Sequence, residues 1–301
     1  MAFPFVALLS TPACYEMPTS VIVVFYVFLI ALQYLCGNVD VSLFAFPVNV
    51  ILLIAVLSFS TFFSLRFANN RVMRSLRSLA CARILILLLA LQTVAGGLMP
   101  QHASFQTSLP FVFTLSFLIL NLWLCILHRI RSFRLSCDTS FVILHSGLLL
   151  LLVGGFVGAP DVRKSTVSVS RHYPERMSVD DCGNVVVLPF TLQLYDFDIA
   201  TDTLSGAPSC YIAFVAIKDS ETTETHIGKV ETNKPLSLSW ADTVCLIDYD
   251  MSETDIVARC TLLVVHQPWR YMMTAGIIVF VAGLLFLLFD AGRKRLKEDT
   301  L

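Results

Sequence analysis

Six long apolar runs dominate the sequence and restrict its fold more than any other feature does. Each is close to the roughly 20 residues that an α-helix needs to cross the hydrocarbon core of a bilayer. Only 14% of all residues are charged, whereas soluble domains carry roughly 25%. The chain is therefore predicted to be an integral membrane protein with about six transmembrane helices. These lie near Thr19–Cys36, Leu43–Phe63, Ala80–Met99, Leu109–Leu127, Ser140–Ala159 and Tyr271–Phe289.

A different pattern occupies the stretch between the fifth and sixth runs. Short β-branched or aromatic segments alternate with turn-rich pieces, which is typical of strands. The segment "NVVVLPFTLQLYDFDIA" alternates through Phe190, Leu192 and Leu194 and then changes phase at Tyr195, which predicts a β-bulge or a bend. Further predicted strands are "SCYIAFVAI", "HIGKVET", "DTVCLIDYD" and "IVARCTLLVV". We expect an antiparallel β domain, either a sandwich or an open barrel.

These patterns divide the chain into four parts. Residues 1–78 hold two transmembrane helices and a cytoplasmic loop, and residues 79–160 hold three core helices. Residues 161–268 form the β domain, and residues 269–301 form the last helix and a basic tail. Each part is defined by where the apolar runs begin and end.

Charge predicts how the helices are oriented. Residues 161–268 contain 16 acidic and 8 basic side chains, a net charge of −8, although the whole chain has a net charge of only −1. Lys and Arg cluster in the loops after the second and fourth runs and in the tail, and the alternate loops "GNVD" and "PQHASFQTS" contain neither. Because cytoplasmic loops carry an excess of Lys and Arg, we expect both termini in the cytoplasm and the β domain outside it.

Catalytic signatures are missing from the sequence. It contains no G-x-S-x-G, P-loop, H-E-x-x-H or dinucleotide fingerprint. Two D-x-D patterns, Asp196 with Asp198 and Asp248 with Asp250, could bind a cation, although solvated strand faces explain such pairs more often. No catalytic residue is assigned, and whether the chain is an enzyme is left open.

Nine cysteines are scattered without C-x-x-C or metal-ligand spacing. Five of them lie in or beside the membrane, where small buried apolar side chains are the expected interpretation. The other four share the outer domain, where an oxidising compartment permits disulfides, and we leave bridges and free thiols open. The first group is Cys14, Cys36, Cys81, Cys125 and Cys137, and the second is Cys182, Cys210, Cys245 and Cys260.

Three polar side chains are predicted to share one layer of the membrane. Arg83 lies within a turn of the start of the third span, Asn121 lies six residues before Leu127 at the end of the fourth, and His145 lies five residues into the fifth. At 1.5 Å per residue, all three come within about 10 Å of the cytoplasmic edge. Isolated polar groups are costly in hydrocarbon, so we expect them to face one another. A neutral imidazole there could ligate haem iron, or it could simply bond a neighbouring helix.

Ordered motifs from about Arg77 to Phe289 resemble the ResB family, the membrane scaffold of system II cytochrome c biogenesis. The family's PF-x-L-x-L-x-x-F motif matches Pro189 to Phe197, and its N-x-P element matches Asn233 and Pro235. The segment "HQPWRYMMTAG" is similar to the family's D-P-W start of the last span, with Gln267 replacing the Asp.

Two helices extend this resemblance. "PFVFTLSFLILNLWLCILHRI" is similar to the family's second core helix, and "ILHSGLLLLLVGGFVG" is similar to the third, whose histidine falls on His145. The first two spans have no counterpart among the family's usual four helices, and the outer domain is short. The chain is therefore interpreted as a divergent or minimal ResB-like protein of the bacterial plasma membrane, with a periplasmic β domain.

The resemblance implies a function in moving haem b across the membrane and scaffolding its attachment to apocytochrome c. Family members work with a CcsA-type partner that carries a Trp-rich haem-handling segment, and this chain has only Trp123, Trp240 and Trp269. It therefore cannot be a complete synthase. The implied partners are a CcsA-type subunit, apocytochrome c and lipid, with no nucleic acid.

The resemblance also implies that His145 is an axial ligand of haem iron. The predicted polar layer adds two further residues: with haem bound there, Arg83 would lie near a propionate, and Asn121 could hydrogen-bond the second imidazole nitrogen. The alternative for Arg83 and Asn121 is a hydrogen-bonded helix clasp without a cofactor. The alternative for the whole protein is a structural or sensory membrane protein whose β domain binds a protein or peptide.

Overall fold

The membrane part of the protein is built from apolar α-helices. The computed structural model describes residues 19–98, 105–132, 138–201, 208–219, 225–251 and 257–298. The helices are α1 (Thr19–Cys36), α2 (Val48–Arg66), α3 (Arg71–Leu76), α4 (Leu79–Leu98), α5 (Leu109–Arg131), α6 (Thr139–Leu152) and α7 (Arg270–Glu298). A π-helical turn, Val153–Val157, continues α6.

Five described helices are long and apolar enough to cross a membrane: α2, α4, α5, α6 with its π turn, and α7. Helix α1 is apolar and has the bounds predicted for the first span. The helices up to Pro160 and from Met272 onwards form one compact unit, and Asp161–Tyr271 form a second. A membrane helical part plus an antiparallel β domain is thus the fold.

Helix α5 is the helix against which the two N-terminal helices pack. The Tyr26 hydroxyl of α1 lies 2.6 Å from Thr114 Oγ1, and Trp123 Nε1 donates to Thr61 Oγ1 of α2 at 3.0 Å. Bonds of this kind between helices satisfy polar groups that lipid cannot. Helices α1 and α2 are therefore hydrogen-bonded to α5.

Helix α5 also makes apolar contacts with α4 and α6. Leu118, Leu122 and Ile126 of α5 form a buried cluster with Leu85 of α4. Leu148, Leu149 and Leu152 of α6 pack against the same cluster. Helices α4, α5 and α6 thus form a continuous packed group.

Helix α7 lies directly on α6 because glycines remove the side chains between them. A Cβ atom added at Gly276 would lie 2.7 Å from the Leu151 nitrogen, and one added at Gly283 would lie 2.5 Å from the Leu144 nitrogen. Real Cβ atoms do not approach backbone this closely. Small residues at such crossings allow helix backbones to touch in a membrane.

The second unit is an eight-stranded antiparallel sheet with the order β5-β4-β3-β2-β1-β8-β7-β6. The strands are β1 (Arg163–Ser170), β2 (Glu175–Asp180), β3 (Val185–Thr201), β4 (Pro208–Asp219), β5 (Thr225–Glu231), β6 (Leu236–Ser237), β7 (Asp242–Met251) and β8 (Val257–His266). One face of the sheet carries the buried core, which includes Val169, Leu192, Leu194, Val215, Val230 and Leu262.

The sheet must curl, because its two edges are joined by a short turn. Strands β5 and β6 are at opposite edges of the sheet. Strand β5 ends at Glu231 and β6 begins at Leu236, and the extended chain between these two residues spans at most about 18 Å. Eight strands laid flat would separate their edges by about 34 Å. A bridge between Glu231 and Lys234 lies at this junction, and the Leu236 side chain packs over Gly228 of β5.

The predicted change of phase in the long strand is confirmed. The register between β3 and β4 shifts between Leu194 and Asp196, so one extra residue turns the side chains over at Tyr195. The five predicted strands all form. Strands β1, β2 and β6 were not predicted, because they are short or rich in Ser, Thr and charged residues.

Candidate functional site

His145 occupies a partly buried position on α6 with a defined orientation of its ring. Its Nδ1 atom lies 2.8 Å from the carbonyl oxygen of Phe141, one turn earlier in the helix. A carbonyl can only accept, so Nδ1 carries a proton, and in the neutral imidazole Nε2 keeps its lone pair. The imidazole also stacks on the Phe141 ring, with centroids 3.8 Å apart. The geometry holds an imidazole whose free nitrogen is a potential ligand atom.

Helical periodicity places His145 on the packed side of α6. Leu148, Leu149 and Leu152, which contact the α4–α5 cluster, follow it by three, four and seven residues. Residues at these spacings share one helix face. His145 therefore lies on the face of α6 that is directed at α4 and α5, one turn before the cluster.

A pair of charged residues, Arg129 and Asp138, lies beside the Phe141 ring. The Arg129 guanidinium of α5 lies 5.3 Å from the ring centroid. Arg129 Nε also forms an ion pair of 2.6 Å with Asp138, whose side chain is only 7% exposed. The Arg129 guanidinium from α5 thus lies against the Phe141 ring of α6, on which the His145 imidazole stacks. The sequence shows Arg129 as a topology signal, and only the packing reveals that it approaches Phe141.

Asn121 is buried, and its side chain hydrogen-bonds a different partner from the predicted one. Its Nδ2 donates to the carbonyl oxygen of Leu76, the last residue of α3. The predicted hydrogen bond from Asn121 to the His145 ring is not formed, because Nδ1 of His145 is already bonded to Phe141. Asn121 instead satisfies an orphan carbonyl at a helix end, as in the alternative helix clasp.

Arg83 lies on an exposed part of α4. Cys81, Leu85 and Leu89 of α4 contact the buried cluster, and Arg83 is two residues from the first two of these. Two residues correspond to about 200° around a helix. Arg83 therefore lies on a different face of α4 from the residues that contact the buried cluster, and the layer shared by Arg83, Asn121 and His145 stays a prediction.

The D-x-D patterns of the outer domain coincide with β-bulges. The register shifts before Asp196 and before Asp248, and each carboxylate accepts from the next backbone N–H, at 2.9 Å and 2.8 Å. The Phe197 N–H and the Arg171 guanidinium hold the pKa of Asp196 below its ordinary value. Within the described part of the chain, no group of three or more potential metal ligands occurs. The Asp196 and Asp248 carboxylates therefore have a structural explanation.

The four cysteines of the outer domain are free thiols in the structure. Cys260 is buried, and burial raises the pKa of its thiol to about 12, so it remains protonated and unreactive. Cys182 is exposed in the turn between β2 and β3. Of the membrane cysteines, Cys14 and Cys137 lie outside the described residues.

The tryptophan of the D-P-W-like segment joins the two ends of the outer domain. Trp269 Nε1 donates to Asp161 Oδ2 at 2.6 Å, and Asp161 is buried. Gln267, which replaces the family's Asp, donates its backbone N–H to Ala241 O at 2.8 Å. Trp269 therefore has a structural function that the sequence motif did not reveal.

Comparison with known proteins gives three findings. Residues 135–263 match the model of the ResB-like family. No curated protein matches the sequence. A solved structure described as "Cytochrome c Heme Lyase CcmF" aligns with 70% of this chain at 13% identity and a TM-score of 0.39, and the alignment covers 35% of that larger chain.

The family match begins just before α6 and ends within β8. It contains His145, the Asn-Pro element and the long strand β3, which are among the features that carry the resemblance. Residues 135–263 are therefore similar to the ResB-like family, as the sequence motifs predict.

Proposed function

We propose that this chain is the ResB-like subunit of a bacterial cytochrome c maturation complex. It helps haem b cross the plasma membrane and scaffolds the attachment of haem to apocytochrome c. The family match over residues 135–263 supports this assignment. The hydrogen bond from His145 Nδ1 to Phe141 O is the observation that supports His145 as the residue that binds haem.

His145 suits haem ligation for a chemical reason. Histidines that ligate metals usually donate their second ring N–H to a carbonyl or carboxylate, which fixes the tautomer and makes the ligating nitrogen more basic. His145 has this arrangement without a partner residue from another helix. Haem is cargo in this proposal, and Nε2 is the atom that ligates its iron.

Arg129 fits the haem propionates better than Arg83 does. It is 47% exposed although its Nε is paired with Asp138, and it approaches the ring on which His145 stacks. Arginine binds carboxylates through a planar set of donors. The assignments of Arg83 and Asn121 as haem contacts stay predictions, and they would require a surface shared with a partner subunit.

The rest of the chemistry belongs to the complex. The chain has three tryptophans and no Trp-rich segment, so a CcsA-type subunit would supply the outer haem-handling site. Thioether formation with apocytochrome thiols needs no catalytic residue from this chain. The net charge of −8 in residues 161–268 favours a basic apocytochrome as partner. Both termini would then lie in the cytoplasm and the β domain in the periplasm.

A specific observation favours the second function, a membrane protein whose β domain binds a protein. The β2–β3 hairpin pairs Met177 with Val187 and Val179 with Val185, and all four side chains are exposed. Exposed apolar patches often mark interaction sites. This patch also suits a scaffold, so it does not by itself separate the two functions.

Haem content of the purified complex separates them. We expect the complex carrying His145→Ala, expressed with its partner subunit, to lose the Soret absorbance of one haem. His128→Ala is the matched control, because His128 lies near the same end of the helices, is exposed and pairs with Arg77. Equal haem content in the unaltered, His145→Ala and His128→Ala complexes would leave His145 as a packing residue and favour the second function.

A further inference from the structure

The loop between β6 and β7 is tied to the first residue of the last span. Arg270 Nη2 donates to the carbonyl oxygens of Ser239 at 3.1 Å and Trp240 at 3.2 Å. Arg270 Nη1 donates to the Thr243 hydroxyl and, at 3.3 Å, to Ser237 Oγ. The loop of residues 238–241, here called the Trp240 loop, is therefore fixed beside the start of α7.

The position of Arg270 sets the depth of the Trp240 loop. The apolar span Arg270–Asp290 contains 21 residues, which at 1.5 Å per residue cover about 31 Å. A bilayer core is about 30 Å thick. With α7 crossing the bilayer, Arg270 would lie at the boundary between hydrocarbon and headgroups, and the Trp240 loop is bonded to Arg270.

The side chains at this boundary have the chemistry of a lipid interface. Trp240 is 61% exposed and Tyr271 is 58% exposed, and the Arg270 guanidinium lies 5.2 Å from the Tyr271 ring centroid. Tryptophan and tyrosine are enriched at headgroup level because one end of the ring is apolar and the other is polar. We propose that the Trp240 loop is a lipid-contact surface, with the Trp240 indole inserted among the headgroups.

A lipid contact would give the outer domain an attachment besides its two chain connections. This inference depends on α7 crossing the membrane and not on haem binding, so either proposal can fail without the other.

Tryptophan fluorescence of the full chain in lipid vesicles tests the contact. The difference between the unaltered chain and Trp240→Phe isolates the emission of Trp240. We expect this component to emit at short wavelength and to lose most of its intensity when the vesicles contain lipids brominated near the headgroup, while iodide in the water quenches it weakly.

A second tryptophan position provides the matched control. Tyr173 is 71% exposed and follows Ser170, the end of β1 opposite to the pair Arg163 and His266, so it lies about 23 Å along the strand from the α7 end. Tyr173→Trp in the Trp240→Phe background should be quenched by iodide and not by brominated lipid. Equal behaviour of the two positions, or shielding of Trp240 from both quenchers by a second copy of the chain, would overturn the proposal.

Discussion

At the scale of residues, the polar side chains Asn121 and His145 of the helical unit differ in which of their atoms are already bonded. The Asn121 amide donates to a carbonyl at the end of α3. His145 donates from Nδ1 to a carbonyl of its own helix, and its Nε2 atom is left to bind a ligand. A bonded group is structural, whereas a fixed group with a free lone pair is poised to bind. The sequence predicted that both residues would be polar positions at one depth. It could not predict their partners, because rotation about each helix axis is set by packing.

Glu231 provides a prediction for the outer domain. Its two carboxylate oxygens lie 2.8 Å from Lys229 Nζ and 2.9 Å from Lys234 Nζ, and these ammonium groups lower its pKa to about 2. Because the pKa in the folded chain is lowered, the pairs contribute fully above the pKa of the unfolded chain and are lost as pH falls towards 2. We expect the carboxyl carbon of Glu231, followed by NMR in ¹³C-glutamate-labelled full chain, to titrate with a midpoint near 2.

The lysines supply the control for this titration. In the Lys229→Met, Lys234→Met double variant, the midpoint of Glu231 should rise towards the value of an ordinary glutamate, about 4.3. A midpoint near that ordinary value in the unaltered chain would show that the two ion pairs do not form in solution.

At the scale of elements, backbone contact between α6 and α7 depends on the absence of side chains. Alanine normally stabilises a helix relative to glycine by about 1 kcal/mol. At Gly276 the added methyl would instead meet the Leu151 backbone at 2.7 Å. We therefore expect Gly276→Ala to lower the midpoint of unfolding in detergent, since the two helices must separate to admit it.

Gly155 is the matched control on the same pair of helices. A Cβ there would meet only Met273 Cε, at 3.8 Å, which is ordinary contact. Gly155→Ala should leave the midpoint unchanged or raise it. If both variants behave alike, the close approach of α6 and α7 does not hold in the detergent-solubilised protein.

Elements with a strong periodic signal were predictable, and those defined by tertiary contacts were not. Helices α1 and α5 begin at the residues where the apolar runs begin, and the sequence predicts strand β3 together with its bulge. Strand β1, "RKSTVSVS", is an interior strand of the sheet but alternates small polar and apolar residues, which is a weak signal. Likewise Arg129 was visible as a charge, but its contact with Phe141 depends on how α5 packs against α6.

At the scale of the whole molecule, the charge distribution predicts the topology. Cytoplasmic reporters fused after Arg74, Arg134 and Lys297 should be active, because these positions follow clusters of Lys and Arg. A reporter fused within residues 218–226 should show a location outside the cytoplasm. A cytoplasmic location for that last fusion would reverse the orientation and contradict the proposed periplasmic domain.

The central claim is that Nε2 of His145 ligates haem, and rescue by free imidazole tests it most directly. His145→Gly removes the side chain and leaves room for an exogenous ligand in its place. The account predicts that the complex carrying this variant loses the Soret band of one haem and that imidazole restores it, while Arg129→Ala, which keeps the ligand, is insensitive to imidazole. A His145→Gly complex with an unchanged Soret band and no response to imidazole would contradict the account.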